Sequence, residues 1–96
     1  MAKAMLLFSD RQDFSDGGIV EMKIWKLPES DAERPHGLKY RLFYGHGGIR
    51  IVGYDNERGK GDHRHIGRRE SAYEFESVEK LIADFLADVA RYRGDA

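Results

Sequence analysis

Cysteine is absent from the 96 residues. Disulfide frameworks, thiolate zinc sites and cysteine nucleophiles are excluded together. The same absence suits a reducing compartment, and the cytoplasm is the expected location. Long apolar runs are also missing. The stretch Met5-Leu-Leu-Phe8 is short against the roughly 7 to 15 residues of a signal-peptide core, and nothing approaches the roughly 18 continuous apolar residues of a membrane span. No charge of one sign dominates. The formal net charge is −1 although 34% of residues are charged, so the chain as a whole carries no nucleic-acid signature and any such signal has to be local. At this length residues 1–96 form one domain. Folding hides only about 60 to 65% of the surface of so small a chain, which argues against a deep active-site cavity and makes a homodimer a reasonable expectation.

What is present reads as an α+β fold. A short apolar piece at Ala4 to Phe8 precedes a polar turn from Ser9 to Gly18. In Ile19 to Leu27, Val20, Met22 and Ile24 share one parity and Glu21 and Lys23 the other, the pattern of a half-buried strand. Pro28 ends it, and Glu29 to Gly37 is a polar loop. Tyr40, Leu42 and Tyr44 alternate with Lys39 and Arg41. Gly45-His-Gly-Gly48 and then Ile49 to Tyr54 follow, so these two strands are expected to form an antiparallel hairpin. Arg41 and Arg50 on these strands suit either a phosphate or a solvated sheet face.

Ser77 is a good N-cap. Val78, Leu81, Ile82, Phe85, Leu86 and Val89 then make the stripe of an amphipathic helix, closed by Arg91, Arg93 and Gly94. Asp84 and Asp88 are expected to face solvent. Strands in succession before a terminal helix predict an antiparallel sheet of about four to five strands with a C-terminal helix packed on one face. Trp25, on the parity opposite Val20 to Ile24, marks a second apolar patch, at the sheet edge or facing a partner.

The chemistry concentrates between hairpin and helix. From Arg58 to Arg69 there are five basic side chains, Arg58, Lys60, Arg64, Arg68 and Arg69, against one acid, Asp62. Cations in a glycine-bearing loop suit a phosphate, because glycine permits close backbone approach and guanidinium groups pair with phosphate oxygens. A solvated loop is the alternative. If Asp62 to Ile66 is extended, His63 and His65 point to one face roughly 6.5 to 7 Å apart and Arg64 to the other. Two such imidazoles can bracket a phosphodiester, one accepting the proton of a ribose 2′-hydroxyl and the other protonating the leaving 5′-oxygen, with no metal or cofactor. Asp62 is placed to hold an imidazole tautomer. Tyr73 can offer its hydroxyl to a phosphate, while Tyr73 and Phe75 otherwise read as a short strand that joins the core. The same histidines also suit a metal site needing a third ligand from Asp62, Asp55 or Glu57, which the surrounding positive charge disfavours, or simple hydrogen bonds to loop carbonyls. His36 and His46 sit alone in turns and read as structural.

The run Tyr54-Asp-Asn-Glu-Arg-Gly-Lys-Gly-Asp-His-Arg-His-Ile-Gly67, preceded by Gly18-Ile-Val-Glu-Met-Lys-Ile-Trp25 and followed by Phe75 and the Leu-Ile-Ala-Asp-Phe helix, resembles the TumE family of small prokaryotic toxins over nearly the whole chain. The resemblance implies the toxin half of a toxin-antitoxin pair, with a helix-turn-helix antitoxin as partner. The positions that match the family's polar block are Tyr54, Asp55, Asn56, Lys60, Asp62, His63 and His65. The family's usual Glu-Pro-Tyr is here Ser71-Ala72-Tyr73, which keeps the tyrosine. Many small toxins of such pairs are ribonucleases on antiparallel sheets, an analogy of fold alone. RNA is accordingly the expected substrate.

Overall fold

A computed structural model describes residues 3–32, 34–57 and 61–94. Its strands are β1 (Met5–Asp13), β2 (Gly18–Lys26), β3 (Leu38–His46), β4 (Ile49–Asp55), β5 (His63–Ile66) and β6 (Arg69–Ala72), followed by α1 (Val78–Arg93). The six strands form one antiparallel sheet in the order β1-β2-β3-β4-β5-β6. Sheet class and terminal helix agree with expectation, and the sheet is larger than the four to five strands read from the sequence.

Two strands account for the excess. Strand β1 continues through Ser9–Asp13, where a polar turn was expected, and is exposed along its whole length. Strand β6 is exposed at all four positions. An edge strand wet on both faces has no alternation to betray it, and backbone pairing alone defines it. Both hairpin turns are nevertheless written in glycine. Gly47 and Gly48 have φ of 58° and 79°, the two left-handed residues of a type I′ turn, and Gly67, at φ 58°, holds the first central place of the β5–β6 turn.

The core lies on one face. Val20, Met22 and Ile24 of β2, Tyr40, Leu42 and Tyr44 of β3, and Val52 and Tyr54 of β4 are buried with Leu81, Phe85 and Val89 of α1. The helix is capped as its sequence requires. Ser77 Oγ accepts the Lys80 N–H at 3.1 Å, and Gly94 ends the helix at φ 78° with its own N–H on the carbonyls of Ala90 and Arg91. Leu86, assigned to the apolar stripe from sequence, is 43% exposed. Its place in the buried row is taken by Asp88, seven residues after Leu81 and so on the same face. At the far end, Arg93 stacks its guanidinium 3.6 Å from the Phe14 ring and reaches Asp16 at 3.1 Å, tying the last helical turn to the β1–β2 connection.

Candidate functional site

Strand β5 divides the predicted site between the two faces of the sheet. Arg64 pairs in register with Tyr54 and so lies on the helix face, whereas His65 pairs with Gly53 and His63 with Asp55 on the open face. The imidazoles of His63 and His65 lie side by side, with ring centroids 6.4 Å apart and planes 29° from parallel. The expected same-face pair therefore forms.

Each imidazole has its own carboxylate. His65 Nε2 lies 3.3 Å from Asp55 on the adjacent strand, and His63 Nδ1 lies 2.9 Å from Glu70 on the other side. Holding Nε2 of His65 as the N–H that faces Asp55 leaves Nδ1 as the free acceptor of the neutral ring. Asp55 is in turn 3.9 Å from Arg50. Gly53 makes that approach possible: a Cβ added there would stand 2.7 Å from Arg50 Cδ. The bulge between Tyr44 and Gly45, opposite Arg50, re-aims this side chain across the sheet. Arg41 sits across from Asp55 on β3. The open face thus gathers two imidazoles, two carboxylates and two guanidinium groups. Among the described residues no three His, Asp or Glu side chains converge as a metal-ligand set.

Asn56 fixes the end of β4 from which Asp55 projects. It is fully buried. Its Oδ1 accepts the Tyr40 N–H at 2.9 Å and its Nδ2 donates to the Leu38 carbonyl at 2.7 Å, so one side chain continues the ladder where the strand stops.

Several expectations need correction. Asp62 does not orient His63 or His65. Its carboxylate instead accepts from the Tyr40 hydroxyl at 2.8 Å and from His36 Nε2 at 3.1 Å. His36, which takes the Leu38 N–H on Nδ1 and packs 4.2 Å from the Phe75 ring, is structural as expected. Desolvation, reinforced by Asp62, pushes the Tyr40 phenol far above its usual value. Arg64 is not directed at a ligand on the histidine face. It donates from Nε and Nη2 to Asp88 at 2.8 and 2.9 Å, while the buried Tyr54 hydroxyl donates to the same carboxylate at 2.5 Å.

Asp88 is therefore buried, not solvated. Burial alone would raise its carboxyl, but the hydrogen bonds from Arg64 and Tyr54 outweigh that and hold it below the ordinary carboxylate range. Asp84 is likewise engaged, by the Tyr73 hydroxyl and by Lys80, each at 2.7 Å. Tyr73 is thus occupied; its phenol is raised by desolvation and by Asp84, and its ring meets Tyr54 edge-on. Its expected strand is absent, since Tyr73 and Phe75 follow β6 in irregular backbone. Arg68 stands exposed in the β5–β6 turn and Arg69 follows it on β6. Arg69 pairs with Ile66, which places it on the helix face with Arg64. Arg58 and Lys60 lie outside the described residues. Glu70 is the addition that sequence spacing did not supply, because it reaches His63 from the neighbouring strand; Arg50, read from sequence as a phosphate contact or a solvated residue, stands beside Asp55.

The sequence profile of the family described as Toxin TumE matches residues 6–93. The chain belongs to the TumE toxin family. That span contains every described strand from Leu6 onward and the whole helix. In this TumE chain the polar block Tyr54 to His65 divides into a buried support, Tyr54 and Asn56, and an open-face cluster, Asp55, His63 and His65. No curated protein and no solved structure matches the chain. No helix among the described residues is long and apolar enough to cross a membrane.

Proposed function

We propose that this TumE toxin acts on RNA as a metal-independent endoribonuclease, with His63 and His65 as its acid and base. The observation that carries the reading is the pair of side-by-side imidazoles, 6.4 Å apart, each beside a carboxylate on the sheet face away from the helix, with side chains 22% and 13% exposed. In this reading the two rings bracket a phosphodiester. One imidazole takes the 2′-hydroxyl proton as the 2′-oxygen bonds to phosphorus. The other gives a proton to the 5′-oxygen as its bond to phosphorus breaks, leaving a 2′,3′-cyclic phosphate. Arg50, 3.9 Å from Asp55, is the cation assigned to the charge developing on the non-bridging oxygens. Glu70 and Asp55, at 2.9 and 3.3 Å, are placed to orient the two rings. The partner proposed for this activity is a helix-turn-helix antitoxin that covers the toxin.

The test is incubation of purified protein, freed of antitoxin, with total cellular RNA in excess chelator, beside the His63→Ala/His65→Ala variant. Cleavage to cyclic phosphate ends by the native chain alone supports the reading. RNA left intact under every metal condition, with stoichiometric and salt-sensitive binding, would replace it by a non-catalytic RNA-binding module. Cleavage or nucleotidyl transfer that requires added metal would replace it by a metal-dependent transferase.

A further inference from the structure

Behind the histidine face, on the helix side of the sheet, the β5–β6 hairpin and the last turns of α1 leave a cleft of about 450 Å³. Arg64, Ile66, Arg69, Ser71, Arg91 and Tyr92 line it. Register explains the gathering: Ile66 pairs with Arg69 and Arg64 with Ser71, so all four stand on one side of the hairpin. Glu70 contributes at the rim, but its carboxylate is turned through to His63 on the opposite face.

The charge inside the cleft is strongly unbalanced. Three guanidinium groups line it, and the two carboxylates near them are already engaged, Glu70 with His63 and Asp88 with Arg64, which takes both of its oxygens. Arg91 stands 3.9 Å from Asp88 with its side chain 65% exposed, and Arg69 has no carboxylate partner among the described residues. The C-terminal end of the helix dipole opposes an anion here. It amounts to roughly half a charge, and the Gly94 N–H already satisfies two of its carbonyls. Two unneutralised guanidinium groups outweigh it.

We propose that this cleft is a second site, separate from the histidines, that binds a nucleoside phosphate unit. Arg69 and Arg91 clamp the phosphate through charge-assisted hydrogen bonds. The Ser71 hydroxyl supplies a further donor. Tyr92, 48% exposed, offers its ring as a base-stacking platform. The volume lies in the lower part of the roughly 300 to 1,000 Å³ range of small-ligand sites, the size for one nucleotide rather than a dinucleotide coenzyme. The unit has two sources, a free mononucleotide or one nucleotide of an RNA strand that passes around the short β6 edge.

The site does not depend on cleavage at His63 and His65, and the test keeps the two apart. Binding is measured with AMP, with ribose 5-phosphate and with a fluorescent 2′-O-methyl oligonucleotide, which cannot be cut through its 2′ position. The proteins are the native chain, Arg69→Gln/Arg91→Gln, Tyr92→Leu and His63→Ala/His65→Ala, each checked for a native melting transition. The Arg69→Gln/Arg91→Gln protein is expected to bind at least tenfold more weakly. For the oligonucleotide its salt slope is expected to fall by about 1.4, two contacts at roughly 0.7 each. Tyr92→Leu is expected to weaken AMP about tenfold and leave ribose 5-phosphate unchanged. The histidine variant is expected to bind AMP as the native chain does.

A free nucleotide source appears as AMP binding that competes with the oligonucleotide. A strand source appears as oligonucleotide binding alone, still weakened by the arginine change. Native protein that binds none of the three probes, or arginine variants that bind all of them like the native chain, overturns the proposal. Should the glutamine pair lower the melting temperature, amide shifts of Ser71 and Tyr92 in native protein titrated with AMP and with the oligonucleotide decide the matter, and their absence with both overturns it.

Discussion

Removing Arg64 should damage this protein more than removing the acid it pairs with, and the asymmetry can be worked from the structure. The Asp88 side chain is 7% exposed and that of Arg64 32% exposed. Deleting one partner of a fully buried pair costs about 3 to 5 kcal/mol, mostly because the other charge is left without compensation. Arg64→Ala strands a carboxylate with little access to water, which keeps the Tyr54 hydroxyl and the exposed Arg91 at 3.9 Å, so its cost is placed at the lower end, about 3 kcal/mol. Asp88→Ala strands a guanidinium that can turn to solvent, and about 1 to 2 kcal/mol is expected.

With melting temperatures of small domains moving about 4 to 8 °C per kcal/mol, the Arg64 variant should melt roughly 12 to 24 °C lower. The acid response supplies a second signature. In the native chain the Asp88 carboxyl is held below its ordinary value, so its contribution is full above the unfolded-state value near about 3.9 and is lost as pH falls through the folded value. Without Arg64, desolvation is no longer outweighed and the carboxyl rises, so the deficit of the variant should shrink between pH 7 and pH 4. Urea melts of both single variants and the double variant across that range form the assay. Equal losses, or a deficit for Arg64→Ala that widens on acidification, would refute the reasoning.

Gly53→Ala places a methyl group against Arg50 and not against backbone, so RNA cleavage should fall about tenfold while the melting temperature moves by less than about 4 °C. Gly45→Ala is the opposite case: its Cβ would lie 2.6 Å from the Ile49 carbonyl oxygen, and a loss of about 2 kcal/mol or more is expected in chemical denaturation. Asn56→Ala leaves the Tyr40 N–H and Leu38 carbonyl without partners, a loss of about 2 to 4 kcal/mol at about 1 to 2 for each group, readable as early hydrogen exchange at Tyr40. Asp55→Asn should lower cleavage by His65 more than Asp62→Asn does, because Asp62 holds His36 and Tyr40 instead; a larger effect at Asp62 would return that residue to the catalytic group.

Legibility followed burial. Strand β2, the β3–β4 hairpin and the capped helix were readable because one side of each is buried, and burial is what imposes a period on sequence. Strand β6 and the second half of β1 were not, since neither face is covered. The histidine pair was readable because two residues apart on a strand means one face whatever the sheet does. The carboxylate beside His63 was not: Glu70 arrives from the neighbouring strand, and register is absent from any single segment. Asp88 could have been found. Its seven-residue spacing from Leu81 puts it on the buried row, where a carboxylate implies a cation, and Arg64 was already known to point away from the histidines. The basic segment misled by its composition, because a strand sends alternate charges to opposite sides and a count of cations along the chain mixes two surfaces.

The sheet is a simple meander, each strand pairing with the one made just before it, and only the helix with Arg93 reaches back to the beginning. Assembly during translation is therefore ordered. All six strands are synthesised before the cover for the apolar side of β2, β3 and β4, which is Leu81, Phe85 and Val89. Asp88, which neutralises Arg64 behind the histidines, also arrives in that last stretch. The apolar side of the sheet therefore gains its cover, and Arg64 its carboxylate, only from a segment that follows all six strands in the chain.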